Sequence, residues 1–140
     1  MAFVLDCSVA MAWVFPDEAS DATGRLRDSL IEDRAFVPSL WPVEVGSVLL
    51  AAARRNRIGI DEWPRICAML DALPIEVEPV SVARVWSATL DLARQHELSI
   101  YDATYLDLAL RMKLPLATLD RALAKVARRA GIETPATPPP

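Results

Sequence analysis

The chain opens on a short apolar run that stops at an acid, with the sequence Ala2-Phe3-Val4-Leu5-Asp6-Cys7-Ser8. Four apolar residues in succession are typical of a strand that is buried on both faces, as the strands of parallel sheets are. The residues after Asp6 predict a helix that Ser8 caps and that Pro16 ends. A buried strand followed at once by a helix predicts an α/β fold.

The alternation of strands and helices continues to the end of the chain. Residues 75–80 alternate apolar and acidic side chains, which indicates a strand at the edge of a sheet. Further strands are predicted over 2–5, 35–38 and 114–118, with a last short one over 132–134. Helices are predicted over 17–33, 40–56, 61–73, 82–96, 100–112 and 121–130. This order implies a mostly parallel sheet with helices on both faces.

The length of 140 residues fits a single domain, which we place at 1–134, followed by a disordered, proline-rich tail over 135–140. Hydrophobic residues make up 53% and charged residues 24%, a composition typical of folded chains. The net charge of −4 argues against a protein that coats nucleic acid by neutralising phosphates. This charge is compatible with an enzyme that binds phosphate groups through a metal ion.

The cysteines do not indicate a zinc or disulfide site, and the N-terminus does not indicate a signal peptide. Cys7 and Cys67 lack the spacing of a zinc site or a disulfide framework, and both are expected to be buried. No basic segment precedes the first apolar run, as a signal peptide would require. The apolar helical stretch 43–53 is shorter than the ~20 residues needed to cross a bilayer. We therefore expect a cytoplasmic protein without membrane contacts.

Four separated acids are the candidates for a functional site. Asp6 and Asp120 each follow a predicted strand, and ligands of open parallel sheets bind beyond the carboxyl ends of the strands. Glu44 lies near the start of an apolar helix with no basic residue one turn later. Asp102 lies in the first turn of a helix that Ser99 caps. Taken one at a time, these acids also suit turns, caps or the helix dipole.

Carboxylates that meet at one site repel one another, and a divalent cation relieves that repulsion. Oxygen ligands suit Mg²⁺ or Mn²⁺, which activate water and stabilise the oxygens of a phosphodiester displacement. Asp107 is set apart from this group, because it lies about 140° around the helix from Asp102. Arg111 follows it by one turn, so we predict that Asp107 is a solvated structural acid.

Four segments in this order resemble the PIN-domain ribonucleases, and more specifically the VapC-type toxins of bacterial type II toxin–antitoxin systems. The resemblance extends from Phe3 to about Ile132. The segments are Val4-Leu5-Asp6-Cys7-Ser8, Pro42-Val43-Glu44-Val45, Tyr101-Asp102-Ala103-Thr104-Tyr105-Leu106-Asp107-Leu108-Ala109 and Leu116-Ala117-Thr118-Leu119-Asp120.

The resemblance implies a three-layer α/β/α sandwich and Mg²⁺- or Mn²⁺-dependent cleavage of RNA, such as transfer or ribosomal RNA. It implies that the catalytic and metal-binding residues are Asp6, Glu44, Asp102 and Asp120. Ser8 and Thr118 match hydroxyl positions that support the carboxylates or a metal-bound water. It also implies a homodimer and a VapB-like antitoxin that neutralises the enzyme, in a heterotetramer or a larger assembly.

Other interpretations remain open. Arg54, Arg55 and Arg57 can bind RNA phosphates, although an exposed basic helix end also accounts for them. The chain can be a catalytically silent module that only binds a partner. It can also be another acidic α/β phosphohydrolase, although paired-aspartate phosphatases would require an acid where Ser8 stands.

Overall fold

The protein, described here for residues 1–139 in a computed structural model, is built on a sheet of four parallel strands. The strands are β1 (Phe3–Leu5), β2 (Ala35–Pro38), β3 (Ile75–Glu78) and β4 (Leu116–Ala117). Their order across the sheet is β3-β2-β1-β4, with Val4 paired to both Phe36 and Leu116. The predicted parallel sheet is confirmed, and β3 occupies an edge as its alternating sequence indicates.

Helices connect and cover these strands. They are α1 (Cys7–Val14), α2 (Asp21–Ser29), α3 (Trp41–Arg54), α4 (Trp63–Asp71), α5 (Val82–Arg84), α6 (Leu90–His96), α7 (Ile100–Met112) and α8 (Arg121–Arg129). A π-helical turn, Val85–Thr89, joins α5 to α6, and short 3-10 turns lie at Pro16–Glu18 and Ile60–Glu62. The predicted α/β/α fold class is confirmed. No helix in the described part of the chain is long and apolar enough to cross a bilayer.

The first strand lies at the centre of the core. Phe3, Val4 and Leu5 have no solvent exposure, because β1 is flanked by β2 and β4 and covered on its faces. Helix α7 packs on β1 and β2 and contributes the fully buried Tyr105 and Leu106. Burial of such large side chains contributes roughly 1.5–3 kcal/mol each.

The helix cap expected of Ser99 forms, whereas the cap expected of Ser8 does not. The hydroxyls of Ser81 and Ser99 accept hydrogen bonds from the backbone amides of Arg84 and Asp102. Ser8, in contrast, lies inside α1, and Asp6 occupies the N-cap position. The Ser8 hydroxyl is therefore available to a side chain, since it does not satisfy the helix terminus.

The predicted strand at 132–134 is wrong for the described residues. Only one backbone hydrogen bond joins it to β4, from the Leu116 amide to the Glu133 carbonyl oxygen (2.9 Å). Gly131 has a φ of 84° and turns the chain at the end of α8, so the following residues approach β4 without continuing alongside it. A strand ladder requires repeated bonds of this kind.

The segment that we expected to be a disordered tail begins with ordered residues. Thr134 to Thr137 form a turn, and Ala136 is only 7% exposed within the core cluster. Burial of Ala136 and the hydrogen bonds of the two threonines hold this part in place. Pro140, the last residue of the expected tail, lies outside the described residues.

The two cysteines have different surroundings. Cys7 is buried in α1, as expected, whereas Cys67 is exposed on α4. The prediction of a buried Cys67 is wrong because α4 turns Leu70 inward and leaves Cys67 towards solvent.

Candidate metal centre

The four candidate acids are placed by the carboxyl ends of strands and by the first turns of two helices. Asp6 follows β1 and Asp120 lies just beyond β4, and these two strands are paired neighbours. Glu44 is in the first turn of α3, which begins after β2, and Asp102 is in the first turn of α7. Parallel strands end at the same edge of a sheet, so this arrangement brings the four acids to one region, which we call the acidic groove.

Asp6 is the most enclosed of the four carboxylates. Its Oδ2 accepts hydrogen bonds from the Ser8 hydroxyl (2.6 Å) and the Thr118 hydroxyl (2.8 Å). Burial raises the pKa of Asp6 above its usual value, and the two hydroxyls and nearby backbone amides act in the opposite direction. Ser8 and Thr118 therefore fix the orientation of this carboxylate and favour its charged form.

The same hydroxyls tie Asp6 to the segment that carries Asp120. The Ser8 hydroxyl accepts a bond from the amide of Leu119 (2.9 Å), and the Thr118 hydroxyl accepts one from the amide of Asp120 (3.1 Å). Asp120 Oδ1 in turn accepts the amide of Leu123 and caps α8. The two acids are thus held by one continuous set of hydrogen bonds.

Glu44 is oriented by a residue that the sequence did not single out. The hydroxyl of the fully buried Tyr105 donates to Glu44 Oε1 at 2.7 Å. Partial burial raises the pKa of Glu44, the Tyr105 hydroxyl lowers it, and the charge of Asp6 raises it again. The available signal was the position of Tyr105 three residues after Asp102, which places both on one side of α7.

The electrostatics of Asp102 indicate that the four acids share one region. Its pKa is raised to about 6, first by partial burial and then by the charges of Asp120, Asp6 and Glu44. Like charges act in this way only when they are near one another. Asp102 therefore experiences the combined potential of the other three acids.

The acids nevertheless do not form a compact ligand shell. Among residues 1–139, no three His, Cys, Asp or Glu side chains come together closely enough to hold one ion directly. Mg²⁺ retains several of its waters and requires only one or two direct carboxylate ligands. The donor set, all carboxylate oxygen, therefore fits a hard divalent cation.

The arginines at the end of α3 do not lie beside the acids. Arg54 follows Glu44 by ten residues on the same helix, which separates them by ~15 Å. Arg57 donates to Asp17 (2.7 Å), approaches Glu18 (3.1 Å) and lies 3.8 Å above the Phe15 ring. Its charge is thus balanced by the two acids of the Pro16–Glu18 turn, while Arg54 and Arg55 are exposed.

Asp107 is structural, as predicted, but it is not solvated. It is 4% exposed and accepts two bonds from Arg84, at 2.7 and 2.8 Å, and one from Arg111 at 3.1 Å. The prediction of a surface position is wrong because the π-helical turn packs on α7 and Arg84, at the end of α5, reaches the carboxylate. Burial of a carboxylate requires partners of this kind.

Comparison with known proteins assigns the family. The sequence pattern of the PIN domain matches residues 3–129. The chain is 30% identical over 123 residues to VapC ribonuclease Mb0985 of Mycobacterium bovis, a match that covers 86% of this chain and 87% of that protein. It is 31% identical over 125 residues to Ribonuclease VapC3 of Pyrobaculum aerophilum, a match that covers 89% of this chain and 94% of that protein.

Two solved structures share the fold. PAE2754 from Pyrobaculum aerophilum superposes with a TM-score of 0.65 at 23% identity, over 90% of this chain and 87% of that one. A chain of VapBC2 from Rickettsia felis was solved bound to a DNA fragment from its promoter. It superposes with a TM-score of 0.66 at 13% identity, over 96% of this chain and 97% of that one. The domain pattern, the relatives and the acidic groove agree, and the chain belongs to the PIN-domain family as a VapC-type ribonuclease.

Proposed function

We propose that this protein is a Mg²⁺- or Mn²⁺-dependent endoribonuclease that hydrolyses phosphodiester bonds of structured RNA, transfer or ribosomal. The observation that supports it most is the placement of the four acids near the carboxyl ends of the strands, where Ser8 and Thr118 join Asp6 to the segment that carries Asp120. A groove of four mutually repelling carboxylates is costly unless a cation is bound there. Asp6, Glu44, Asp102 and Asp120 are the residues that would hold it.

The cation would supply an activated water and would stabilise the attacking and leaving oxygens of the phosphodiester. The protein itself orients the carboxylates that would hold it. Ser8 and Thr118 keep one oxygen of Asp6 fixed, Tyr105 keeps one oxygen of Glu44 fixed, and the Leu123 amide does the same for Asp120. Carboxylates held in this way lose little freedom when they bind metal, which favours activity.

A VapB-like antitoxin is the proposed regulatory partner. Support comes from the VapBC2 structure, whose name describes a complex of this kind, and from the charge of the groove. Uncompensated carboxylates attract a basic side chain, so an antitoxin that places one there would compete with metal and RNA. This arrangement would neutralise the enzyme.

A homodimer, joined with antitoxin into a heterotetramer or a larger assembly, is also proposed. Val82, Trp86 and Leu90 recur along α5, the π-helical turn and the start of α6, and are 62%, 75% and 49% exposed. Apolar side chains of this size that share an exposed face are typical of contact surfaces between proteins.

The main test is RNA cleavage by Asp102→Asn. We expect its cleavage in Mg²⁺ or Mn²⁺ to fall at least ~100-fold, because the substitution removes a metal ligand. Asp91→Asn, on the exposed surface of α6, is the matched control and should cleave at the parental rate. Without metal, Asp102→Asn should melt no lower than the parent, since it removes a charge that its neighbours repel.

Two results would contradict the proposal. Cleavage that persists in excess EDTA would exclude the metal mechanism, and parental activity of Asp102→Asn would exclude this groove. A protein that binds an antitoxin but cleaves no RNA with either metal would be the silent binding module. Hydrolysis of a small phosphate ester but not RNA would indicate a different phosphohydrolase.

A further inference from the structure

The C-terminal segment Glu133–Thr137, which we call the strap, contacts the free edge of β4 at two points. Strand β4 bonds to β1 through the carbonyl oxygens of Pro115 and Ala117, so Leu116 and Thr118 direct their backbone groups away from the sheet. The strap bonds to both of them. Leu116 donates its amide to Glu133, and the Thr137 hydroxyl donates to the Thr118 carbonyl oxygen.

Several contacts fix the strap in place. The Arg128 guanidinium donates from Nη1 to the Thr134 hydroxyl and to the Thr137 carbonyl oxygen, both at 2.9 Å. The amide of Thr137 donates to the carbonyl oxygen of Thr134 at 3.1 Å, which closes the turn. Thr134 and Ala136 are buried. Helix α8 and the strap therefore form one anchored unit at this edge.

The bond to Thr118 connects the strap to the acidic groove. Thr118 has no solvent exposure, and its hydroxyl donates to Asp6 Oδ2 at 2.8 Å. The Thr118 hydroxyl also accepts the amide of Asp120. The orientation of the Thr118 peptide thus determines where its hydroxyl lies, and that peptide is held from outside the sheet by Thr137.

We propose that Thr137 is a positioning residue for the Asp6 carboxylate, acting through Thr118. Its hydroxyl bonds to the Thr118 carbonyl oxygen and not to the carboxylate itself. Loss of its hydroxyl would leave the Thr118 carbonyl oxygen without this donor and would loosen the segment 118–120. The hydrogen bond from the Thr118 hydroxyl to Asp6 Oδ2 would then weaken. The consequence for metal binding rests on the function proposed above, whereas the consequence for the order of residues 118–120 does not.

A purely structural role makes a different prediction. Edge strands are commonly covered so that they do not pair with other chains. If the strap served only that purpose, loss of one hydroxyl would lower the melting temperature and leave the carboxylates unaffected. The variants Thr137→Val, which lacks the hydroxyl, and Thr137→Ser, which keeps it, separate the two roles.

The first measurement is amide hydrogen exchange without metal. In Thr137→Val the amides of Leu119 and Asp120 should exchange about fivefold faster, the effect of losing one hydrogen bond. The Ala35 amide, bonded to Pro74 on the other side of the sheet, should keep its parental rate. Thr137→Ser should resemble the parent. Acceleration of all three amides together would mean general destabilisation and would overturn the proposal.

The second measurement is Mn²⁺ affinity by calorimetry, far below the melting temperature. Thr137→Val should bind about 3- to 10-fold more weakly, less than the 10- to 100-fold typical of groups in contact with ligands, and Thr137→Ser should restore binding. Parental affinity in Thr137→Val, or parental exchange of Leu119 and Asp120, would overturn the role of Thr137. A parent that binds no Mn²⁺, with exchange altered as expected, would overturn the metal function and leave the positioning of Asp6 intact.

Discussion

Single hydroxyl groups determine the geometry of the acidic groove. Ser8 and Thr118 donate to Asp6, and Tyr105 donates to Glu44. Each bond lowers the pKa of a carboxyl that burial raises. The hydroxyls therefore favour the charged forms of carboxyls whose burial favours the neutral form, and a cation requires the charged form.

Tyr105→Phe tests this role. The substitution removes only the hydroxyl from a fully buried ring, so the fold should be preserved while Glu44 loses its donor. We expect Mn²⁺ affinity to fall about 10-fold, as for other groups that orient metal ligands. Tyr101→Phe is the control, since Tyr101 is exposed on the same helix. Equal affinity of the two variants would show that Glu44 needs no orienting group.

Helix α7 joins the groove to a buried ion pair. Asp102 and Tyr105 lie on the part of the helix that faces the groove, and Asp107 lies on the part that faces α5. Arg84 ends α5 and is followed by the π-helical turn Val85–Thr89. The bidentate contact between Arg84 and Asp107 therefore fixes α7 against the helices that precede it.

Asp107→Asn should reduce the free energy of unfolding by about 2 kcal/mol. A buried ion pair that loses one partner costs about 3–5 kcal/mol, and the exposed parts of Arg84 and Arg111 lessen that cost. Chemical denaturation measures the change. Asp91→Asn, which removes an exposed ion pair with Arg94, should change stability by less than about 1 kcal/mol. Similar values for both variants would contradict a structural role for Asp107.

In the whole molecule, charge and apolar surface are separated. The carboxylates gather at the carboxyl edge of the sheet, while Arg57 is paired with Asp17 and Glu18 at the other end of α3. The exposed apolar face of Val82, Trp86 and Leu90 lies along the helices that precede α7. These two surfaces are the ones we assign to RNA and to a second copy of the chain.

Trp86→Lys should convert the proposed homodimer into a monomer. A charge at the centre of an apolar contact cannot be buried without a partner, so the association should weaken at least ~100-fold. Light scattering after size exclusion gives the mass. Ile31→Lys, at an exposed position before β2, is the control and should leave the mass unchanged. A parent that is already monomeric would contradict the dimer.

The sequence alone was sufficient for the features that depend on local order. Apolar runs, helix caps and helix-ending prolines predicted the parallel sheet and the edge position of β3. These features are local, because the repeat of apolar side chains in a strand or helix is visible in neighbouring residues. The positions of Asp6 and Asp120 after strands followed from the same pattern. The acids were therefore candidates before any contact was known.

Tertiary structure decided the features that join residues distant in the chain. Four hydrogen-bonded pairs are of this kind: Tyr105 with Glu44, Arg84 with Asp107, Arg57 with Asp17, and Thr137 with Thr118. The two residues of each pair are too far apart in the sequence for a helix or strand repeat to predict their contact. The acidic groove depends on both the local sequence and the tertiary structure. Local sequence placed each acid at the end of a strand or the start of a helix, and packing of those elements determined which oxygens are held and how strongly the carboxylates repel one another.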